Sequence, residues 1–379
     1  MNSNNGPIRV LHIVGRMDRG GIETMLMNLY RKIDRSKVQF DFLAHYGKEA
    51  SYNEEIRALG GRIYEMPALR DETHVYYLRL FSYIKALHRF FLEHPEYRIL
   101  HCHMTNTASI YIPIARKYGI RHAIAHSHST SRKAGIMGVV TDLLQKPIYR
   151  HATDYFACSE AAAHWFYPQR LIDGGKVRIF PNAIDAEAFR FDSNLRQEVR
   201  RELGIGKETV IGCVGRFRPE KNQAFLLDIL AAMPPGQSIR LLLVGDGPCE
   251  TEIKARCSRM GLEDRVLFLG QRDDIPRLMQ AMDVFCLPSL WEGLPLVGVE
   301  AQAAGLPVVV SDTVTKEMDL TGNVSFLALD APASKWAQTL LQAARLPRKD
   351  TLDALRQAGY DLNTTVPWLQ EFYCNLHRI

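Results

Sequence analysis

A chain of 379 residues exceeds one ordinary hydrophobic core and predicts two domains of roughly 150–200 residues each. Its 46% apolar and 23% charged residues are those of a globular protein, which excludes disordered and fibrous classes. The net charge of +5 is diffuse and no aromatic-interleaved basic motif accompanies it, which argues against a nucleic-acid partner.

The seven cysteines are scattered, odd in number and free of any C-x-x-C, which predicts reduced thiols in a cytoplasmic setting and argues against zinc. No uninterrupted apolar run reaches the roughly 20 residues that span a bilayer, and MNSNNGPIRV reads as a short tail into the first strand. Charge is uneven along the chain. Residues 1–185 carry 25 Lys+Arg against 17 Asp+Glu, a balance of +8, and the remainder carries 22 against 25, a balance of −3. Twelve of the thirteen histidines also fall in the first half, so the first domain is expected to face something anionic.

Strands and helices alternate from the start. RVLHIVG leads into a helix near 22–34, VQFDFLA into one near 52–59, and RIYEMP into a long one near 74–93. RILHCHM precedes a helix near 106–118, AIAHSHS one near 139–150, and TDYFACS and KVRIFPN follow. The pattern restarts after PNAIDAEAF with TVIGCVG, SIRLLLVG, RVLFLG, DVFCLP and PVVVSD. This is an α/β chain of two doubly wound, mostly parallel sheets. The boundary is expected near Asn182–Asp185, giving domains of 1–182 and 183–359, with a last helix over 360–379 carrying Trp368, Leu369 and Phe372 on one face.

Polar residues gather at the predicted strand ends, where parallel sheets bind ligands. After the first strand, Gly15 and Gly20 mimic a phosphate loop, but Gly21 and Ile22 stand where Lys and Ser/Thr are required, and no G-x-G occurs. Gly20 and Gly21 instead introduce a helix opening with Glu23. HCHMTNTAS places His101, His103, Thr105 and Asn106 where sugar hydroxyls could bind, and alternation puts His126 and His128 of AIAHSHS on one face of their strand. The next segment carries Arg132, Lys133, Lys146 and Arg150, read either as an ordinary helix or as a docking surface for a lipid-linked acceptor at an anionic leaflet.

In the second domain, Arg216 and Lys221 of GRFRPEKNQ pair a rigid fork with a mobile ammonium, a combination that clamps diphosphates. Gly245 and Gly247, then Gly270 and Arg272, end two further strands. The densest segment is EGLPLVGVEAQAAGLPVVVS, with Glu292 and Glu300 eight positions apart. Gly293 allows close backbone approach, and Pro295 is expected at the first helical position. The backbone from Gly293 and Leu294 through Leu296 and Val297 then offers free amides and a positive helix end to an anion, with Glu300 one to two turns along.

Glu292 and Glu300, followed by a G-L-P-V-V-V strand, resemble the signature of the retaining GT-B glycosyltransferases of family 4, and GRFRPEKNQ and GRMDRGGIE match that family in order. The resemblance implies two Rossmann-like domains facing a cleft that holds a nucleotide-sugar donor, with the terminal helix crossing back onto the first. It implies that Arg216 and Lys221 hold the diphosphate, Glu300 the ribose and Glu292 the transferred sugar. Gly20 and Gly21 would approach the donor from the other lobe, and backbone near Gly245, Gly270 and Arg272 would read the base. His128, or less favourably His126, would touch the donor sugar. The resemblance gives little help with the acceptor; there His103, Asn106 and His126 are expected from their place at strand ends alone.

The expected activity is retaining transfer from a UDP- or GDP-sugar to a saccharide or polyprenyl-linked saccharide in surface-polysaccharide or lipopolysaccharide assembly. An epimerase and a non-catalytic nucleotide-sugar-binding subunit are the alternatives. No Asp-x-Asp pair ends a strand, since Asp273 and Asp274 are adjacent and start a helix, so metal independence is expected and no cofactor is assigned. The expected location is cytoplasmic, with peripheral membrane contact through the basic first domain.

Overall fold

The computed structural model describes residues 6–18, 20–45, 49–67, 76–105, 107–128 and 148–378. The chain divides into unit 1, Met1–Ala183 with Leu362–Ile379, and unit 2, Ile184–Asp361.

Unit 1 is built on seven parallel strands: β1 Ile8–Val14, β2 Val38–Ala44, β3 Ile63–Glu65, β4 Ile99–Cys102, β5 His122–Ser127, β6 Asp154–Ala157 and β7 Val177–Ile179. Their order is β3-β2-β1-β4-β5-β6-β7, so the winding reverses between β1 and β4. β1 and β2 are apolar or buried along nearly their whole length because helices cover both faces. One face packs Leu11, Ile13, Leu100 and Ala125. The other packs Val10, Val14, Phe40, Ile99, Ile124 and Phe156 against the last helix, Leu362–Arg378, which contributes Leu362, Val366, Leu369 and Tyr373. Trp368 stacks on Phe372 at 5.3 Å between ring centroids, and the Arg178 guanidinium lies over Trp368 at 4.3 Å.

Unit 2 carries β8 Thr209–Val214, β9 Ile239–Val244, β10 Val266–Phe268, β11 Val284–Leu287, β12 Val308–Ser311 and β13 Val324–Leu327. They pair in parallel in the order β10-β9-β8-β11-β12-β13, and here the reversal falls between β8 and β11. The two sheets, each wound in both directions, make two Rossmann-like domains. Among the described residues, no helix is long and apolar enough to cross a membrane.

Two local readings need correction. Pro295 is the N-cap, and its helix spans Leu296–Ala303, since Gly298 N–H already bonds the Pro295 carbonyl at 2.9 Å. The helix expected near 139–150 is described only over Ile148–His151, and Arg132, Lys133 and Lys146 lie outside the described residues.

Candidate functional site

The carboxyl ends of β8 and β11 are neighbours at the reversal of unit 2, the position where open α/β sheets leave a crevice for ligands. β8 runs into Gly215 and Arg216, then the short 3-10 turn Pro219–Lys221, which Asn222 ends in the left-handed region at φ 54°. β11 runs into Pro288 and the loop to Glu292. Three bonds fix one loop on the other. Leu290 N–H donates to the Glu220 carbonyl at 2.8 Å, and Asn222 Nδ2 to the Pro288 carbonyl at 3.1 Å. Lys221 Nζ lies 2.7 Å from Glu292 Oε2.

Glu292 is held on its other oxygen as well, accepting from Ser289 Oγ at 2.6 Å. Ser289 is fully buried, and its carbonyl accepts from Ser311 Oγ at 2.5 Å and Thr313 Oγ1 at 2.9 Å. A parallel bridge to Val314 completes the clamp. The sequence showed Glu292 and Lys221 but gave no sign that Ser289, Ser311 and Thr313 hold them, because that support spans 22 to 24 positions.

The helix Leu296–Ala303 begins beside this loop with no side chain capping it, so its first amides are free to meet an anion. Glu300 lies in its second turn, half-buried, and desolvation pushes its carboxyl from the ordinary 4.5 up to about 7. Among the described residues no hydrogen bond or ion pair serves that carboxyl. Arg216 is placed at the mouth by its carbonyl, which accepts from Gln223 Nε2 at 2.9 Å.

The glycines after β9 are explained by close packing. Gly247, at φ 150°, lies against the Phe217 backbone, where an added Cβ would meet the Phe217 nitrogen at 2.8 Å and also its carbonyl oxygen. Gly245 N–H reaches the Gly270 carbonyl at 2.8 Å, tying β9 to β10. Gly247→Ala is expected to lower stability by about 2–3 kcal/mol, through clash and positive φ together. Thermal melts would check this, and a wild-type midpoint would refute it. Arg272 is engaged in a two-pronged pair with Asp274 at 2.7 and 2.6 Å, on the surface.

In unit 1, Gly20 caps the helix Gly21–Lys32 at its N-terminus without a side-chain bond. The histidines form a second concentration. His12 in β1 pairs in register with His101 in β4, and His101 with Ile124 in β5, so alternation puts His12, His101, His103, His126 and His128 on one face. His12 Nδ1 and His103 Nε2 are 3.1 Å apart, and His103 Nδ1 and His128 Nε2 are 2.9 Å apart. A second row joins Tyr373 Oη to His101 Nδ1 at 2.6 Å and His101 Nε2 to His126 Nδ1 at 3.1 Å. Two triads, His12–His101–His103 and His103–His126–His128, bring one ring nitrogen each within 4.8 Å, a spacing a metal ion could bridge. Burial holds all five rings neutral, with His12 and His128 pushed down to about 3.

This burial corrects the acceptor assignment for two residues. His126 is wholly buried, and both ring nitrogens of His103 are already bonded within a side chain only 6% exposed. Neither presents a surface to a saccharide; of the five histidines only His128 is partly exposed. Asn106 lies outside the described residues. His12 and Tyr373 were missed in the sequence, the first for standing alone in its strand and the second for lying 272 positions from His101.

Residues 208–345 match the family described as Glycosyl transferases group 1, and residues 19–188 match Glycosyltransferase Family 4. The EpsF protein of Bacillus subtilis (strain 168), named there as a glycosyltransferase, is 38% identical over 98% of this chain and 97% of its own length. An Escherichia coli UDP-Gal:alpha-D-GlcNAc-diphosphoundecaprenol alpha-1,3-galactosyltransferase is 31% identical over 58% of this chain and 59% of that protein. In fold, the chain is similar to Anabaena Alr3699/HepE solved in complex with UDP, with a TM-score of 0.75, 21% identity, and 97% and 100% of the two chains covered.

Proposed function

The chain belongs to the group 1 glycosyl transferases of glycosyltransferase family 4, and from that premise we propose retaining transfer from a UDP- or GDP-sugar to a saccharide or polyprenyl-linked saccharide. The setting we assign is assembly of a surface polysaccharide or lipopolysaccharide, in keeping with what its relatives are named for.

The observation that carries this reading is the Lys221–Glu292 pair at the reversal of the unit 2 sheet, beside an uncapped helix start and the unpaired carboxyl of Glu300. Arg216 and Lys221 receive the charge of the departing diphosphate, with help from the amides of Leu296 and Val297. Glu292 orients the transferred sugar, and Glu300 accepts from the ribose hydroxyls. Gly293 and Leu294 give the backbone room beside the donor. In unit 1, Gly20 and Gly21 approach the donor and His128 contacts its sugar. The loops at Gly245, Gly270 and Arg272 are assigned to the base.

The bond from the anomeric carbon to the phosphate oxygen breaks while the bond to the acceptor oxygen forms on the same face. The acceptor proton passes to the leaving phosphate. Two cationic side chains and a helix end supply the charge that metal ions supply elsewhere, so the reaction is read as metal-independent.

A panel of nucleotide sugars screened by thermal stabilisation, then assayed with candidate saccharide acceptors, tests this. Product with the donor's anomeric configuration is expected. An inverted product would overturn retention, and rearranged sugar released without acceptor would identify an epimerase instead.

A further inference from the structure

Five imidazoles side by side are an unfavourable filling for the inside of a sheet. Aromatic rings pack around them, with Phe40 at 4.2 Å from His12 and Phe156 and Phe180 at 5.6 and 5.8 Å from His126 between centroids. Apolar side chains would close the same space with no polar nitrogen to satisfy. Among the described residues the five rings bond only to one another and to Tyr373. Three ring nitrogens are left buried without a partner there: His12 Nε2, His126 Nε2 and His128 Nδ1. Neutral imidazole, the form that burial enforces on these rings, is also the form that ligates metal ions.

The two triads that share His103 are not equivalent. His12–His101–His103 holds one of the unpartnered nitrogens, and all its members are buried. His103–His126–His128 holds two of them, on rings whose centroids are 3.9 Å apart. His128 is also partly exposed, which gives an ion a way in. Nitrogens that share one tetrahedral ion, each about 2.1 Å from it, stand about 3.3 Å from one another. The 2.9 Å between His103 Nδ1 and His128 Nε2 and the 4.8 Å limit of the triad bracket that value.

We propose that His103, His126 and His128 bind one divalent first-row transition ion of the Zn²⁺ class, through one ring nitrogen each, with the fourth position left to water. A set of imidazoles suits Zn²⁺, Cu²⁺ or Ni²⁺ and disfavours Mg²⁺, Ca²⁺ and Mn²⁺, which take oxygen ligands. His12, 3.1 Å from His103, and His101, 3.1 Å from His126, then orient two of the three ligand rings from behind. The ion takes no part in the bond transfer. Its site depends on unit 1 alone, whereas its effect on transfer rests on the reading that His128 contacts the donor sugar: a His128 held by the ion is withdrawn from that contact.

Titration of the chelator-treated full chain with Co²⁺, then with Zn²⁺, reads the site directly. A one-to-one complex with visible bands of tetrahedral intensity, bleached by Zn²⁺, is expected in the wild type and should be lost in His126→Ala and His128→Ala. No such complex in the wild type would overturn the site whether or not any variant folds. Bands kept in a folded His128→Ala would overturn it too, by placing the ion at the deeper triad or at surface histidines. Saturating Zn²⁺ should lower transfer about tenfold, the worth of one contact to the sugar, and should not do so in His126→Ala. If the complex forms at these three residues and wild-type transfer is unchanged by Zn²⁺, the metal site stands and it is the sugar-contact reading that fails.

Discussion

Lys221→Ala is expected to lower turnover on the order of 10²–10³-fold while leaving the melting temperature within a few degrees of wild type. The ammonium carries three donors and gives one to Glu292 at 2.7 Å, so two remain for phosphate oxygens. It is three-quarters buried, with 23% of its side chain exposed, and Glu292 is more so at 11%. On the proposed reading, charge developing on a leaving diphosphate would be met by a cation whose position is already set, and the stabilisation would grow as the bond breaks. Glu292→Gln is expected to act in the same direction by freeing Lys221 to wander and by weakening the hold on the sugar. Steady-state kinetics with the matched donor decide the matter: rates near wild type in Lys221→Ala, Arg216→Ala and Glu292→Gln would remove the leaving-group role from this loop pair.

The second large effect concerns pH. With its folded-state pKa raised from 4.5 to about 7, Glu300 keeps its proton in the native protein across a range where the unfolded chain has lost it. The native state binds more protons there, so stability falls as pH rises from about 4.5 to about 7 and then levels off. Glu300→Gln removes that penalty and should stabilise the ligand-free protein at pH 8 by about 1–3 kcal/mol, with the advantage fading toward pH 5. If Glu300 accepts from ribose hydroxyls as proposed, the ionised carboxylate is the binding form, and nucleotide affinity should fall about tenfold for each pH unit below 7 in the wild type. In Glu300→Gln it should be weak and flat. Denaturant titrations and calorimetry at pH 5, 7 and 8 give both curves; a variant less stable than wild type at pH 8 would show that Glu300 is not strained by desolvation.

Both sheets were legible in the sequence because buried parallel strands leave short apolar runs such as TVIGCVG and VQFDFLA, set between amphipathic helices. Glu292, Lys221 and Glu300 were legible because they flank strand ends and a helix start only a few residues away. What holds them was not. Ser311 and Thr313 come from the next strand and its exit, and no local pattern links them to Ser289. The reading of His126 and His103 as open to a ligand failed for a related reason. Alternation gives the face on which a side chain lies, but not whether another element covers that face, and here the last helix, with Tyr373, packs against it.

That last helix also sets an order of events during synthesis. Unit 2 is complete once Asp361 has been made, but the inner sheet of unit 1 still lacks Leu362, Val366, Leu369 and Tyr373. The first-made strands of unit 1 therefore wait until all of unit 2 has been synthesised before His101 gains its phenol partner.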